Sequence, residues 1–467
     1  MLSRRDTGRL FVRSIAVPDP GDLLGQLPQP DVVAWVHHRA GLAGWGEAAR
    51  VTLPAGEDRF TAGEKWLRSL FDAADVDDQV RVRGSGPVAF GTFTFDASSD
   101  GSVLIVPRVL LGRDGHGRAW LTTVECSPGG AVPPGGDDPP AGRHPERTPR
   151  NPPAGRHPPG TRRNPPAGGH PERTPRDPSD RGGTHSPWPP RPPRGVRWHD
   201  GSLTGPQWEQ AVAEAVTAIK AGSLRKVVLA QDQFATAAEP VDVRVLLRRL
   251  ASRYPECFTF ACDGMVGATP ELLIRQTGRQ VSALVLAGTA PRGGDPAQDE
   301  ALGAGLLASA KDTEEHAYAV ASMRDALEPL CDELDSQPRP ALLKLPNLQH
   351  LGTWVRGMLA ENGTPPSALG LAAAVHPTAA VCGTPTGAAL ELIRELEHMD
   401  RERYAGPVGW VDADGNGEWG IALRCAQLSG RTARLFAGCG IVAGSDPVAE
   451  LAEAQVKFRP MRGALEG

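Results

Sequence analysis

Four stretches of this chain carry residues that could move protons or hold ions. Lys226 opens Lys226-Val-Val-Leu-Ala-Gln231, where strand alternation sets Lys226, Val228 and Ala230 on one face and Val227, Leu229 and Gln231 on the other. Both faces are largely apolar, as in an interior strand. A lysine at the end of such a strand either escapes to solvent or enters a pocket, where desolvation lowers its pKa toward that of a usable base. Glu271 follows Thr269-Pro270 in an apolar neighbourhood. It either starts a short element or, once buried, keeps its proton to higher pH, as a general acid must. Lys311-Asp-Thr-Glu-Glu-His316 places Asp312 and Glu315 one helical turn apart, and after the helix start Ser445-Asp446-Pro447 come Glu450, Glu453 and Lys457 on one face. Acidic faces of this kind are either solvated or, turned toward one cleft, offer the carboxylate oxygens that suit Mg²⁺.

Two other patterns carry less. Asp412-Ala-Asp414-Gly-Asn416-Gly417 matches the first half of a calcium loop, yet its last ligand position would be Leu423 and strand-like runs flank it, so a hairpin turn is expected. Gly438-Cys-Gly440-Ile-Val-Ala-Gly444 has one residue too many before its third glycine for a dinucleotide loop. Cysteines 126, 257, 262, 331, 382, 425 and 439 are scattered without any C-x-x-C pair, which favours a reducing, cytoplasmic setting over a disulfide framework or a zinc site.

The elements that must position these residues read as mixed. Short β-branched or aromatic runs at 32–36, 89–95 and 102–106 predict strands before the chain's midpoint. Thr204 to Lys220 reads as an amphipathic helix with a Thr204/Gln207 capping box and Gly222 as its stop. Further helical patterns fall at 296–335 and 384–401, and strands at 226–231, 281–287, 407–412, 418–426 and 432–442. Hairpin-linked strands with helices between groups of them predict an α+β fold: two packed antiparallel sheets with helices outside.

Between these halves lies a different composition. Residues 127–197 hold 21 of the chain's 45 prolines and 12 of its 50 basic residues, all Arg, and carry a formal +6. Asp138-Pro-Pro-Ala-Gly-Arg-His144, Asn151-Pro-Pro-Ala-Gly-Arg-His157 and Asn164-Pro-Pro-Ala-Gly-Gly-His170 recur with a period of 13. So apolar-poor a tract cannot offset its ordering entropy and is expected to be a disordered insert with polyproline II character; the evenly spaced histidines follow from copying of the unit. The division is therefore 1–126, strand-rich; 127–197, insert; 198–467, catalytic. Outside the insert the charge is −11, which argues against nucleic acid as a partner. No apolar run reaches the length of a membrane span, and no secretion signal is read at the start, so a cytoplasmic protein is expected.

Taken in order, these segments resemble the chorismate-utilising enzymes: isochorismate, anthranilate, aminodeoxychorismate and salicylate synthases. The resemblance runs through Lys226-Val-Val-Leu-Ala, Gly267-Ala-Thr-Pro-Glu271, Leu286-Ala-Gly-Thr289-Ala-Pro-Arg-Gly293, Lys311 to His316 and Gln349-His-Leu351. It continues through His376 to Pro385, Tyr404 to Trp410, Ala422-Leu-Arg-Cys425, Ala437 to Val442 and Ser445 to Lys457. Gly44 to Arg50 and Ala89 to Phe95 extend it toward the N-terminus, so it covers nearly everything outside 127–197. Within that group Lys226 and Ala287 are most similar to the water-adding isochorismate synthases. Anthranilate synthases carry glutamine at the first position, and aminodeoxychorismate synthases a nucleophilic lysine at the second.

The resemblance implies a reaction and its residues. Lys226 would deprotonate a water attacking C2 of chorismate, and Glu271 would protonate the departing C4 hydroxyl. Glu315 and Glu453 would hold Mg²⁺ directly, with Asp312 and Glu450 reaching it through water. Tyr404 and Arg424 would bind the enolpyruvyl carboxylate near the Gly438 amide, and Thr289, His376 and Lys457 would line the site. Menaquinone synthesis is the expected destination, and a monomer without a glutamine amidotransferase subunit the expected state. The alternatives are a salicylate synthase, a siderophore-pathway isochorismate synthase and, from a different class, an inactive chorismate-binding protein.

Overall fold

Two long strands, Ala40–Leu53 and Ser102–Arg113, pair antiparallel along their length and form the hub of the sheet. From the Ala40–Leu53 edge a first arm runs through strands Val32–His37, Phe258–Cys262, Met265–Thr269, Cys425–Ser429, Thr432–Ile441 and Lys226–Thr236. From the other edge a second arm runs through Val88–Thr92, Pro407–Asp412, Gly417–Ile421, Leu272–Thr277, Gln280–Pro291 and Leu348–Leu359. A short branch, Ala119–Cys126 with Leu10–Val17, leaves the same hub edge. The structure, a computed structural model, describes residues 9–126, 189–361 and 365–467. Among them every strand pair is antiparallel except Leu10–Val17 with Asp75–Asp78. The α+β class expected from the sequence is the one observed, and the two expected sheets are arms of a single continuous one.

The arms bury their facing sides against each other. Trp35 of the first arm donates its indole N–H to Glu418 of the second at 2.7 Å. A Cβ on Gly420 would stand 2.7 Å from that indole, so this close approach needs glycine. Helices cover the outside: Gly205–Lys220 and Pro447–Glu466 over the first arm, Ala310–Leu327 over the second. The first begins as its sequence predicts, with the Thr204 amide donating to Gln207 Oε1 at 2.9 Å. Among the described residues no helix is long and apolar enough to cross a membrane.

Three expectations change. The helical pattern at 296–335 is two helices, Pro296–Ala308 and Ala310–Leu327, followed by the strand Cys331–Ser336. Ser309 makes the break, its hydroxyl accepting from the Asp312 amide at 3.2 Å and so starting a new helix. The strand expected at 418–426 is two strands, separated by residues 422–424. The insert lies outside the described residues over 127–188, but its last residues belong to the sheet: Arg194 accepts from the Ala238 amide at 2.9 Å, and Arg197 opens a strand paired with Lys226–Thr236. Asp412 forms the expected hairpin turn, accepting from the Asp414 and Asn416 amides at 3.1 and 2.9 Å.

Candidate active site

The chain passes from one arm to the other at residues 270–271 and again at 422–424, and each crossing delivers an ionisable side chain to one cavity. Glu271 lies on the first crossing and Arg424 on the second. The crossings brace each other, the Ile421 amide donating to the Glu271 carbonyl and the Ala268 amide to the Arg424 carbonyl, both at 3.3 Å. Arg424 sits at φ 49°, a left-handed conformation that a side chain other than glycine's rarely adopts, and that break in the strand turns the guanidinium into the cavity. The cavity encloses about 580 Å³, part of it open to solvent. Glu271, Thr289, Glu315, Tyr404, Arg424, Gly438 and Lys457 all line it.

Lys226 does not escape to solvent. It is 0% exposed, and its Nζ stands 3.2 Å from Glu315 Oε1 but outside hydrogen-bond geometry. Gly440 on the neighbouring strand makes this possible: a Cβ there would lie 2.0 Å from Glu315 Oε1 and 3.1 Å from Lys226 Cε. Register explains why the glycines alternate. Gly438 pairs with Ala230 and Gly440 with Val228, so both share the face of Lys226, while Cys439 turns to the opposite face under the helix Pro447–Glu466. Glu271, 4% exposed, is pushed up to about 8 by burial, which outweighs the Leu286 amide and the distant positive charges of Lys226, Arg424 and Lys457. It therefore keeps its proton at neutral pH.

Glu315, Glu450 and Glu453 of the two acidic helices each have a lysine partner. Glu315 has Lys226, Glu450 has Lys311 at 2.7 Å, and Glu453 has Lys457 at 2.5 Å. Lys457 also donates to the Gly438 carbonyl at 2.9 Å. Glu450, Glu453 and the Cys439 thiol place ligand atoms within 4.8 Å of one another; Glu315 and Asp312 stand outside that group, Asp312 against Gly288. The Glu450 and Glu453 carboxylates are hard oxygen ligands that suit Mg²⁺, whereas the Cys439 thiol is a soft one that does not. Burial and the neighbouring Glu453 charge also push the Glu450 carboxyl up, a crowding that a divalent cation relieves.

His376, expected to line the site, does not. Its Nε2 lies 3.0 Å from the Phe95 carbonyl, its ring stands edge-on to Phe95, and burial pushes it down to about 3, so it is a neutral packing group outside the cavity wall. A different histidine holds that role. His350 Nε2 accepts from Arg424 Nη2 at 3.3 Å, which leaves Nδ1–H to donate to Thr289 Oγ1 at 3.1 Å. Burial, with Arg424 and Lys457 nearby, holds His350 well below its usual range, so it stays neutral. The motif Gln349-His-Leu351 contains it, but its contact with Thr289 comes from strand register, Thr289 opposite His350, and that cannot be read from local spacing. Tyr404 stacks on Phe436 at 4.9 Å, and burial pushes its hydroxyl up to about 12.

With this geometry in place the comparisons decide the family. The family model for chorismate binding enzymes matches residues 189–466. The chain belongs to that family. It is 41% identical over 269 residues to the isochorismate synthase DhbC of Bacillus subtilis, covering 55% of this chain and 67% of that one. It is 46% identical over 257 residues to the putative isochorismate synthase MenF of Mycobacterium tuberculosis, covering 52% and 68%. A solved structure of the putative 2,3-dihydroxybenzoate-specific isochorismate synthase DhbC from Bacillus anthracis superposes with a TM-score of 0.70, at 27% identity, over 95% of this chain and 98% of that one. The matched segment of the family model begins at the end of the Pro-rich tract and takes in every cavity-lining residue named above.

Proposed function

We propose that the protein is an isochorismate synthase, converting chorismate to isochorismate by adding water at C2 with loss of the C4 hydroxyl. The observation that carries the chemistry is Glu271, a cavity-wall carboxyl on the crossing between the arms that burial keeps protonated to about 8, apart from the strand that bears the buried amine of Lys226. In its neutral form Lys226 takes a proton from the attacking water, and the resulting hydroxide bonds to C2. The ring double bonds shift, the C4–O bond breaks, and Glu271 gives its proton to the departing hydroxyl, which leaves as water. Atoms balance: one water enters and one leaves. Arg424 and Tyr404 hold the enolpyruvyl carboxylate, with His350 fixing the guanidinium and Thr289 beneath it. Glu315 and Glu453 would hold Mg²⁺, with Glu450 and Asp312 beside them, and the bound ion supplies positive charge for the ring carboxylate.

Water as the nucleophile needs no ammonia channel, so the enzyme acts without an amidotransferase partner, as a monomer. Incubation with chorismate and Mg²⁺, products resolved by chromatography, tests the reading. Isochorismate supports it; salicylate would make the protein a salicylate synthase, and no turnover a silent chorismate binder. We assign the product to menaquinone synthesis. A deletion strain rescued by supplied menaquinone, and not by a catechol siderophore, is the expected result.

A further inference from the structure

Lys226 Nζ makes no hydrogen bond, so the amine inherits its place from the strand that carries it. That strand, Lys226–Thr236, is held unevenly. Along one edge it pairs with Thr432–Ile441 from Val227 to Thr236. Along the other it is paired only at its ends: Gly383 and Thr384 lie opposite Val227 and Lys226, and Arg197–Asp200 opposite Gln233 to Thr236. Between those ends the Val228 carbonyl and both backbone groups of Ala230 have no strand partner among the described residues. Buried backbone groups need partners, and here side chains supply them. Arg401 Nη2 donates to the Val228 carbonyl at 2.7 Å, and the Ala230 amide donates to Glu397 Oε1 at 2.7 Å. The Trp208 indole N–H donates to the Ala230 carbonyl at 3.2 Å.

Glu397 and Arg401 form one unit. Their side chains are 1% and 2% exposed, and Arg401 Nε donates to Glu397 Oε2 at 2.9 Å. Arg401 Nη1 donates to the Val381 carbonyl at 2.9 Å, and the guanidinium lies 4.3 Å over the Phe95 ring. Arg401 lines the cavity, yet each of its guanidinium nitrogens already has a protein acceptor, so its charge is committed to the protein and not to a substrate anion. Apolar side chains of similar volume can match a buried ion pair in stability, but they offer no donor or acceptor to an open strand edge. We propose that the Glu397–Arg401 pair stands in for a missing strand and positions Lys226 for proton transfer. The proposal rests on Lys226 being the base of the reaction assigned above. Both are positioning residues: they touch the backbone two and four places beyond the base. A misplacement of about 1 Å is enough to cost on the order of 10²-fold in rate.

The double variant Glu397→Leu/Arg401→Met tests this on the full-length protein, since it removes both charges and leaves neither buried alone. Hydrogen exchange read by mass spectrometry reports on the strand without substrate: a peptide covering 226–232 should exchange about tenfold faster or more. With chorismate and Mg²⁺, well below the melting temperature, kcat should fall about 10²-fold while KM stays within about twofold. Arg401→Lys keeps a charge for Glu397 and a donor for the Val228 carbonyl, so it should recover about tenfold of that loss. If the double variant melts too early, Arg401→Lys is compared with wild type, with kcat about tenfold down at unchanged KM. Wild-type exchange over 226–232 in the double variant overturns the proposal. So does faster exchange with full kcat, which would leave the pair a purely structural role. A loss confined to KM would make Arg401 a substrate ligand and overturn it as well. A wild type that converts no chorismate fails the reaction assignment instead, and the exchange rates still decide whether the pair holds the strand.

Discussion

Two cavities of the fold differ in their lysines. The first has Lys457 in its wall beside Arg401 and Arg424, with Lys226 and Lys311 close behind it, so three of the chain's six lysines gather there, each facing a glutamate. A second cavity, on the seam between the two arms, is lined by Arg83, Arg113, Arg118 and Arg275 and by no lysine. Arginine never gives up its proton and forks onto carboxylates, whereas a lysine can lose its proton and yield its place to another cation. The proton transfer proposed above therefore has the residue type it needs only beside the first cavity.

The largest effect should come from erasing that distinction at Lys226. Lys226→Gln and Lys226→Arg should each lower turnover by about 10⁴-fold, the upper range for losing a general base, while calorimetry still shows chorismate binding. Retained turnover in the arginine variant would show that no proton leaves residue 226. Next comes Glu271→Gln, expected to cost on the order of 10³-fold in kcat. In the wild type the rate should fall as pH rises through about 8, because the acid form of Glu271 is then lost. The same residue sets a stability slope. Its folded pKa lies above the unfolded value, so the native state binds the extra proton between the ordinary carboxyl value of about 4.5 and about 8, and stability declines as pH rises across that window. Urea melts at several pH values should find that slope flattened in Glu271→Gln.

A smaller loss is expected from Glu453→Ala, about 10²-fold in metal affinity, read by Mn²⁺ titration without substrate. An unchanged Mn²⁺ isotherm would move the metal away from the helix Pro447–Glu466. The smallest effect is expected from the Pro/Arg-rich tract. Replacing residues 127–188 by a flexible linker should leave turnover within about twofold, since so apolar-poor a composition cannot offset its ordering entropy.

What the sequence made legible was local. The Thr204 cap, the Asp446 helix start and the 407–412 strand stand where their residue types put them, because capping and alternation act over a few residues. Two of the departures have the opposite cause. His376 reads as a site residue from its motif, but the Phe95 carbonyl that captures its ring is 281 residues away in sequence. His350 carries no local signal, because its partners, Thr289 and Arg424, meet it only across a strand pair and a cavity. The helix break at Ser309 is local but ambiguous, since serine caps a helix well and also occurs within one at modest cost.

The paired crossings at 270–271 and 422–424 have a consequence for anyone redesigning this enzyme. Glu271 and Arg424, the proposed proton donor and carboxylate grip, are threaded through the same seam and joined by backbone hydrogen bonds, so they shift as a unit when one arm flexes against the other. Wall positions borne on one arm alone, such as Val228 or Leu286, can be recarved to admit a different ring substituent while the distance from donor to grip is kept.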